Sequence, residues 1–136
     1  MPGAFSTDGA ARRWADTWKR AWETLDTERI VEMYAPEVVF SSEPFRDPYH
    51  GAEGVRSYVG AAFAEEDDPV VHLSEPVVDG DRASVSWWAS LVEEGRPITL
   101  AGTSVLRFGA DGLVVEQWDT WNVRSERGGP PPWAPY

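Results

Sequence analysis

The sequence predicts an α+β fold in which a curved antiparallel sheet wraps around N-terminal helices to form a cone. Three observations carry this. Apolar residues recur at helical spacing only in the first half of the chain, whereas two-residue alternation fills the second half. Asp79-Gly80, Glu94-Gly95 and Asp111-Gly112 punctuate that second half as turns. The resulting order of helix, helix, strand, helix and then strands is an α+β order. A sheet curled around the first and third helices leaves a conical cavity at one end.

Residues 1–7 read as a frayed start. From Asp8, Trp14, Trp18, Trp22 and Leu25 recur at helical spacing with Ala21, and Arg12, Arg13, Asp16, Lys19, Arg20 and Glu23 occupy the other face. This is an amphipathic helix with a bulky apolar stripe. Asp26-Thr27 can cap a second, short helix, whose buried side is Ile30, Met33 and Tyr34. Ala35-Pro36 ends it, because the residue before proline is pushed out of the helical region. Val38 to Ser42 is β-branched and aromatic and reads as a strand, followed by a loop through Pro44, Pro48 and Gly51. Val55, Tyr58, Val59, Ala62 and Phe63 make the core-facing stripe of a third helix. The run Glu65-Glu66-Asp67-Asp68, with Pro69, stops it, since carboxylates in a last turn oppose the helix dipole.

Val70 to Val78 then reads as one strand, Arg82 to Val92 as the next and Ile98 to Phe108 as a third. On the second, Ser84, Ser86, Trp88 and Ser90 alternate against Ala83, Val85, Trp87, Ala89 and Leu91. The last strand opens at Asp111-Gly112. Its alternation puts Leu113, Val115, Gln117, Asp119 and Trp121 on one face, apolar at the start, polar in the middle and aromatic at the end. A strand lining a mostly apolar pocket with a few polar groups has this pattern. A single domain over residues 1–122 is expected, with a Pro/Gly-rich tail over 123–136 that is mobile or extended.

Composition sets outer bounds. The 136 residues are 42% hydrophobic with eight Trp, which suits one globular domain. No apolar run approaches the roughly 20 residues that cross a bilayer. The first residues lack the basic and apolar regions of a secretory signal. The absence of cysteine excludes disulfides and thiolate chemistry and fits a reducing cytoplasm. A net charge of -11 argues against nucleic acid and anionic membranes. His50 and His72 lack metal-ligand spacing, so neither a metal nor a cofactor is expected. No phosphate-binding glycine loop, dinucleotide fingerprint or nucleophile elbow is present.

The chain resembles the nuclear transport factor 2-like superfamily, and within it the SnoaL-like and ketosteroid-isomerase-like bacterial proteins. Trp18 through Tyr34-Ala35-Pro36-Glu37, Pro44 to Gly51-Ala52-Glu53-Gly54-Val55, and Phe108-Gly109-Ala110-Asp111-Gly112 through Asp119 carry the likeness over residues 8–122. It implies the cone-shaped fold, also described as a cystatin-like α+β barrel. Ketosteroid isomerases keep a general-base Asp before a proline near the end of the first strand. Here that position falls on Ser42 or Glu43. Their oxyanion-binding Tyr corresponds to Trp18. SnoaL-like cyclases use an acid–base Asp on the last strand, which matches Asp119. The auxiliary His that some of them carry has no counterpart between Ala83 and Asn122.

The candidate catalytic residues are therefore Asp119, Gln117 as its orienter or a substrate contact, and Glu43 at a pocket mouth. Trp18, Trp22, Phe40, Tyr58, Phe63, Trp87 and Trp121 are the candidate substrate-binding rings. The expected function is binding of a small hydrophobic molecule, with cofactor-free isomerase- or cyclase-type acid–base catalysis. The alternative is a non-catalytic ligand-binding or dimeric interaction module on the same fold. Water activation of the limonene-epoxide-hydrolase kind would need an Asp-Arg-Asp set, for which only Asp119 and Arg56 or Arg107 are at hand. A homodimer through the outer sheet face is expected, with Trp88 as an exposed ring there.

Overall fold

A computed structural model describes residues 6–133. Residues 1–5 of the expected frayed start and 134–136 of the tail lie outside it. Ser6 and Thr7 are part of a helix start: Ser6 caps α1 (Thr7–Thr24), its hydroxyl accepting from the Gly9 amide at 3.1 Å. Trp14, Trp18 and Trp22 stack along one side of α1, with centroids 6.1 and 5.6 Å apart. Asp26 caps α2 (Thr27–Val31) by accepting from the Arg29 amide.

Tyr34 belongs to a strand, not to the second helix. β1 (Tyr34–Ser41) begins four residues earlier than the β-branched run indicated. Pro36 fits because the pairing of β1 with its neighbour is irregular between Tyr34 and Val39, where no ladder N–H is needed. β2 (Tyr49–His50) lies inside the proline-rich loop and pairs antiparallel with β1. α3 (Gly51–Ala64) buries Val55, Val59 and Phe63, and packs on β1 and α2.

The acidic run ends α3 but is not a solvated loop. β3 (Glu66–Leu73) starts inside it, with Asp68 at φ 51 and a register shift between Asp67 and Val70. The single strand expected over 70–78 is two, because Pro76 interrupts it before β4 (Val77–Asp79). β5 (Arg82–Glu93), β6 (Arg96–Phe108) and β7 (Val114–Arg124) form the long antiparallel meander. The sheet order is β2-β1-β7-β6-β5-β3, with β4 pairing β5. β1 runs parallel to β7, the one departure from an antiparallel sheet. β1 thus lies between its sequence neighbour β2 and the last strand, β7.

α1 packs against β3, β5 and β6, and the core lies between it, α3 and the sheet. In β7 the register shifts opposite Arg107 and Phe108: Phe108 pairs with Val114 and Arg107 with Glu116. Val115 is thus the extra residue of a bulge, and the expected inward set is corrected at its start. Val114, not Val115, joins Gln117, Asp119 and Trp121 on the inner face.

The outer face also differs from expectation. β7 runs to Arg124, two residues into the segment assigned to the tail, and residues 125–128 fold back over the outer sheet face. Gly128 N–H donates to Thr99 Oγ1 at 2.6 Å, and Thr99 Oγ1 donates to Glu126 O. Arg127 donates to the carbonyls of Asp68 and Ser90. Trp88 lies half-buried beneath Gly128, with the Arg124 guanidinium 5.9 Å from its ring centre. Trp118 is the more exposed ring on that face. Among the described residues no helix is long and apolar enough to cross a membrane.

Candidate functional site

The bulge in β7 and the alternation that follows it aim Gln117, Asp119 and Trp121 into a cavity of about 240 Å³ between α1, α3 and the sheet. All seven rings singled out from the sequence line it: Trp18, Trp22, Phe40, Tyr58, Phe63, Trp87 and Trp121. Trp14, Val59, Ile98 and Leu100 add to the apolar wall. The residues with polar side chains on the wall are Glu66, Glu93, Ser104, Gln117, Asp119 and Tyr58.

Asp119 is 8% exposed and Gln117 2%. A directed hydrogen-bond chain ends on Asp119. The Trp14 and Trp18 indoles can only donate, and both donate to the Tyr34 hydroxyl at 3.1 Å. The hydroxyl must therefore send its own proton onward, to Gln117 Oε1 at 2.5 Å. That fixes the Gln117 amide, whose Nε2 donates to Asp119 Oδ1 at 3.1 Å. From the other side Trp87 Nε1 donates to Ser104 Oγ, and Ser104 Oγ donates to the same Oδ1 at 2.6 Å. Oδ1 is thereby occupied. Oδ2 has no hydrogen-bond partner among the described residues and is not sealed from space.

Oε1 and one Nε2 hydrogen of Gln117 are used inside the protein, so it orients the carboxylate, and its second Nε2 hydrogen is left over on the cavity wall. The Trp18 N–H is likewise taken up by Tyr34, so Trp18 offers the cavity its ring alone. Tyr58 differs: its hydroxyl makes no hydrogen bond to a described residue, while its ring packs on Phe40 and Tyr49.

Among the described residues no lysine or arginine stands on the cavity wall. Arg56 pairs with Glu28 and Glu53, and Arg107 with Glu116, so neither completes an Asp-Arg-Asp set. With no cation to hold it ionised, burial pushes the Asp119 carboxyl up to about 7, against the pull of Ser104 and Gln117. Burial also pushes the phenols of Tyr34 and Tyr58 upward, so both remain donors.

Glu43 stands apart. It lies in the loop after β1, more than a third exposed, with the Arg46 guanidinium at 3.4 Å, and is not on the cavity wall. Ser42 is buried, and its carbonyl accepts from Trp121 Nε1 at 2.7 Å, which fixes that ring. The two histidines sit on opposite edges of the sheet, in β2 and β3. Among the described residues no three His, Cys, Asp or Glu side chains form a metal-binding group.

Sequence reasoning missed three residues here. Tyr34 was hidden by its assignment to a helix. Ser104 was visible as the lone hydroxyl on the inward set of β6. Glu66 is 6% exposed, with Oε1 accepting from Trp22 Nε1 at 2.8 Å, and burial pushes its carboxyl to about 7.

Residues 11–117 match the family described as the SnoaL-like domain. Among solved structures the chain is similar to the epoxide hydrolase/cyclase-like enzyme SalBIII of pyran ring formation in the polyether salinomycin. That likeness has a TM-score of 0.75 at 15% identity, over 88% of this chain and 99% of that one. It is similar too to RV0760c from Mycobacterium tuberculosis, with a TM-score of 0.75 at 17% identity over 88% and 98% of the two chains. These likenesses establish the nuclear transport factor 2-like fold. No curated protein matches the chain.

Proposed function

The chain belongs to the SnoaL-like domain family, and within it we propose an enzyme that binds a small hydrophobic, carbonyl-bearing molecule and moves a proton on it without a cofactor. The observation that carries this reading is Asp119: a carboxylate in an aromatic cavity, with one oxygen held by donors and the other without a hydrogen-bond partner among the described residues. Oδ2 takes a proton from carbon next to the carbonyl. The C–H electron pair becomes the new C=C bond, and the carbonyl π pair moves to oxygen. The Tyr58 hydroxyl hydrogen-bonds that oxygen as its charge grows. Asp119 then returns the proton to the same or another carbon. An acid–base group near 7 is matched to this task, since it both accepts and releases a proton near neutrality.

Deuterium uptake by β-tetralone in deuterium oxide, followed by proton NMR, tests the reading without knowledge of the natural substrate. The protein should accelerate exchange beside the carbonyl, with a rate that rises with pH around a midpoint of about 7 as Asp119 ionises. Asp119→Asn keeps both hydrogen bonds to Oδ1 and removes the base, so the acceleration should fall by about 100-fold or more. Equal exchange by wild type and Asp119→Asn would remove Asp119 from the chemistry.

A further inference from the structure

The cavity holds a second carboxyl that the Asp119 chemistry does not use. Glu66 is one of four consecutive acids, Glu65-Glu66-Asp67-Asp68, in a chain of net charge -11. Its three neighbours in the run are exposed, as a solvated charge run should be, and Glu66 alone is buried. The register shift after Asp67 and the left-handed Asp68 backbone separate its orientation from the regular part of β3. Bulges of this kind re-aim side chains beside sites. A carboxyl buried for packing alone would be costly, and its usual compensation is an arginine or several donors. Glu66 has neither. It accepts one hydrogen bond, from Trp22 Nε1 to Oε1. Oε2 has no partner among the described residues and is not sealed off.

Pairing across the sheet places the two carboxyls far apart within one cavity. Asp119 pairs with Ser104, and Ser104 with Val85. Glu66 pairs with Glu93, eight positions further along β5 than Val85. Glu93 is exposed and also on the wall, so Glu66 stands toward the β5–β6 turn, where the cavity meets solvent. Trp22 and Trp87 lie between, their ring centres 5.8 Å apart, one bonded to Glu66 and the other to Ser104 beside Asp119. The cavity thus has a carboxyl toward each end and aromatic rings in the middle.

We propose that Glu66 is a second ligand-binding group of this cavity, which takes an elongated aromatic or alicyclic molecule with an oxygen function at each end, one at Asp119 and Tyr58 and the other at Glu66. Glu66 Oε2 accepts a hydrogen bond from a ligand hydroxyl when ionised and can donate to a ligand oxygen when protonated. This deepens the proposed function by adding the distal end of the ligand, and it rests on the same cavity but not on proton transfer at Asp119.

The test compares para-phenylphenol with para,para′-biphenol, which share an apolar body and differ in one terminal hydroxyl. Binding is read by quenching of tryptophan fluorescence. Wild type should bind the diol about 10-fold more tightly than the mono-ol, the scale of one hydrogen bond to a charged or buried group. Glu66→Leu should erase that preference, read as the ratio of diol to mono-ol affinity within the variant, and Glu66→Gln, which keeps the acceptor for Trp22 and a polar end, should retain most of it. The Gln variant guards against a Leu variant that fails to fold. Equal binding of the two probes by wild type, absence of binding by both, or an unchanged preference in Glu66→Leu would each overturn the proposal. Loss of Asp119-dependent exchange with the diol preference intact would sink only the proton-transfer reading.

Discussion

Asp119 costs the fold stability wherever it is ionised, and that gives a residue-scale prediction. Its carboxyl titrates near 7 when folded and near the ordinary value of about 4 when unfolded. Between those values the folded chain holds a proton that the unfolded chain has lost, so stability falls as pH rises. The group's favourable contribution is complete below about pH 4, is lost up to about pH 7, and changes no further above it. Asparagine cannot ionise. Asp119→Asn should match the wild-type melting temperature near pH 4 and exceed it by several degrees near pH 8, since stability falls by about 1.4 kcal/mol for each pH step across that window. Differential scanning calorimetry at the two pH values reads this, and an identical difference at both would show that Asp119 titrates normally. Glu66 should behave with the same sign. At this scale the sequence disclosed the inward placement of Asp119 and Gln117, because their positions alternate with outward residues on a long strand. Glu66 was not legible, because its inward turn depends on a positive φ two residues later, and the charge run around it reads as solvated.

At the scale of elements, the middle of β6 is kept thin for the rings beside it. Gly102 pairs with Trp121, and a Cβ there would come within 2.6 Å of Trp121 Cβ and 2.8 Å of Trp87 Cζ2. Trp121 is tied to Ser42 O and Trp87 to Ser104 Oγ, so neither ring can yield without losing a hydrogen bond to its neighbour. Gly102→Ala should cost about 1–3 kcal/mol of overpacking and lower the melting temperature by about 5 °C or more. It should also weaken mono-ol binding. Gly129→Ala, where an added Cβ meets nothing within 4 Å, is the neutral control. A Gly102→Ala variant as stable as the control would mean that the cavity wall is more pliant than its contacts indicate. Most elements were legible because their signals are local: helix spacing with caps for α1 and α3, and turns followed by alternation for β5, β6 and β7. Those misread depend on distant partners. Tyr34 is drawn into β1 by pairing with Val114, some 80 residues away in sequence, and the β7 bulge is defined only against Arg107 and Phe108.

For the molecule as a whole, the outer sheet face is divided by the chain's own C-terminal segment. The sequence indicates a mobile or extended segment, and residues 125–133 form neither helix nor strand. Its docking depends on three separate strands and could not be read locally: Asp68 at β3, Ser90 and Trp88 on β5, and Thr99 on β6. Ser90 and Thr99 are buried although they face outward, and Trp88 Nε1 is enclosed without a partner among the described residues. An enclosed donor without an acceptor is a cost of order 1–3 kcal/mol, so the segment is held against a local penalty. Truncation after Arg124 should free that donor to water and uncover Trp88. The tryptophan emission should shift to longer wavelength, with the melting temperature lowered by only a few degrees because the inner core is untouched. The newly exposed ring should also raise self-association, read by light scattering at increasing concentration. Binding of para-phenylphenol on the opposite, concave face should be unchanged. An unshifted emission with unaltered scattering would mean that residues 125–133 do not cover Trp88 in solution, and a loss of mono-ol binding would mean that the two faces of the sheet are coupled.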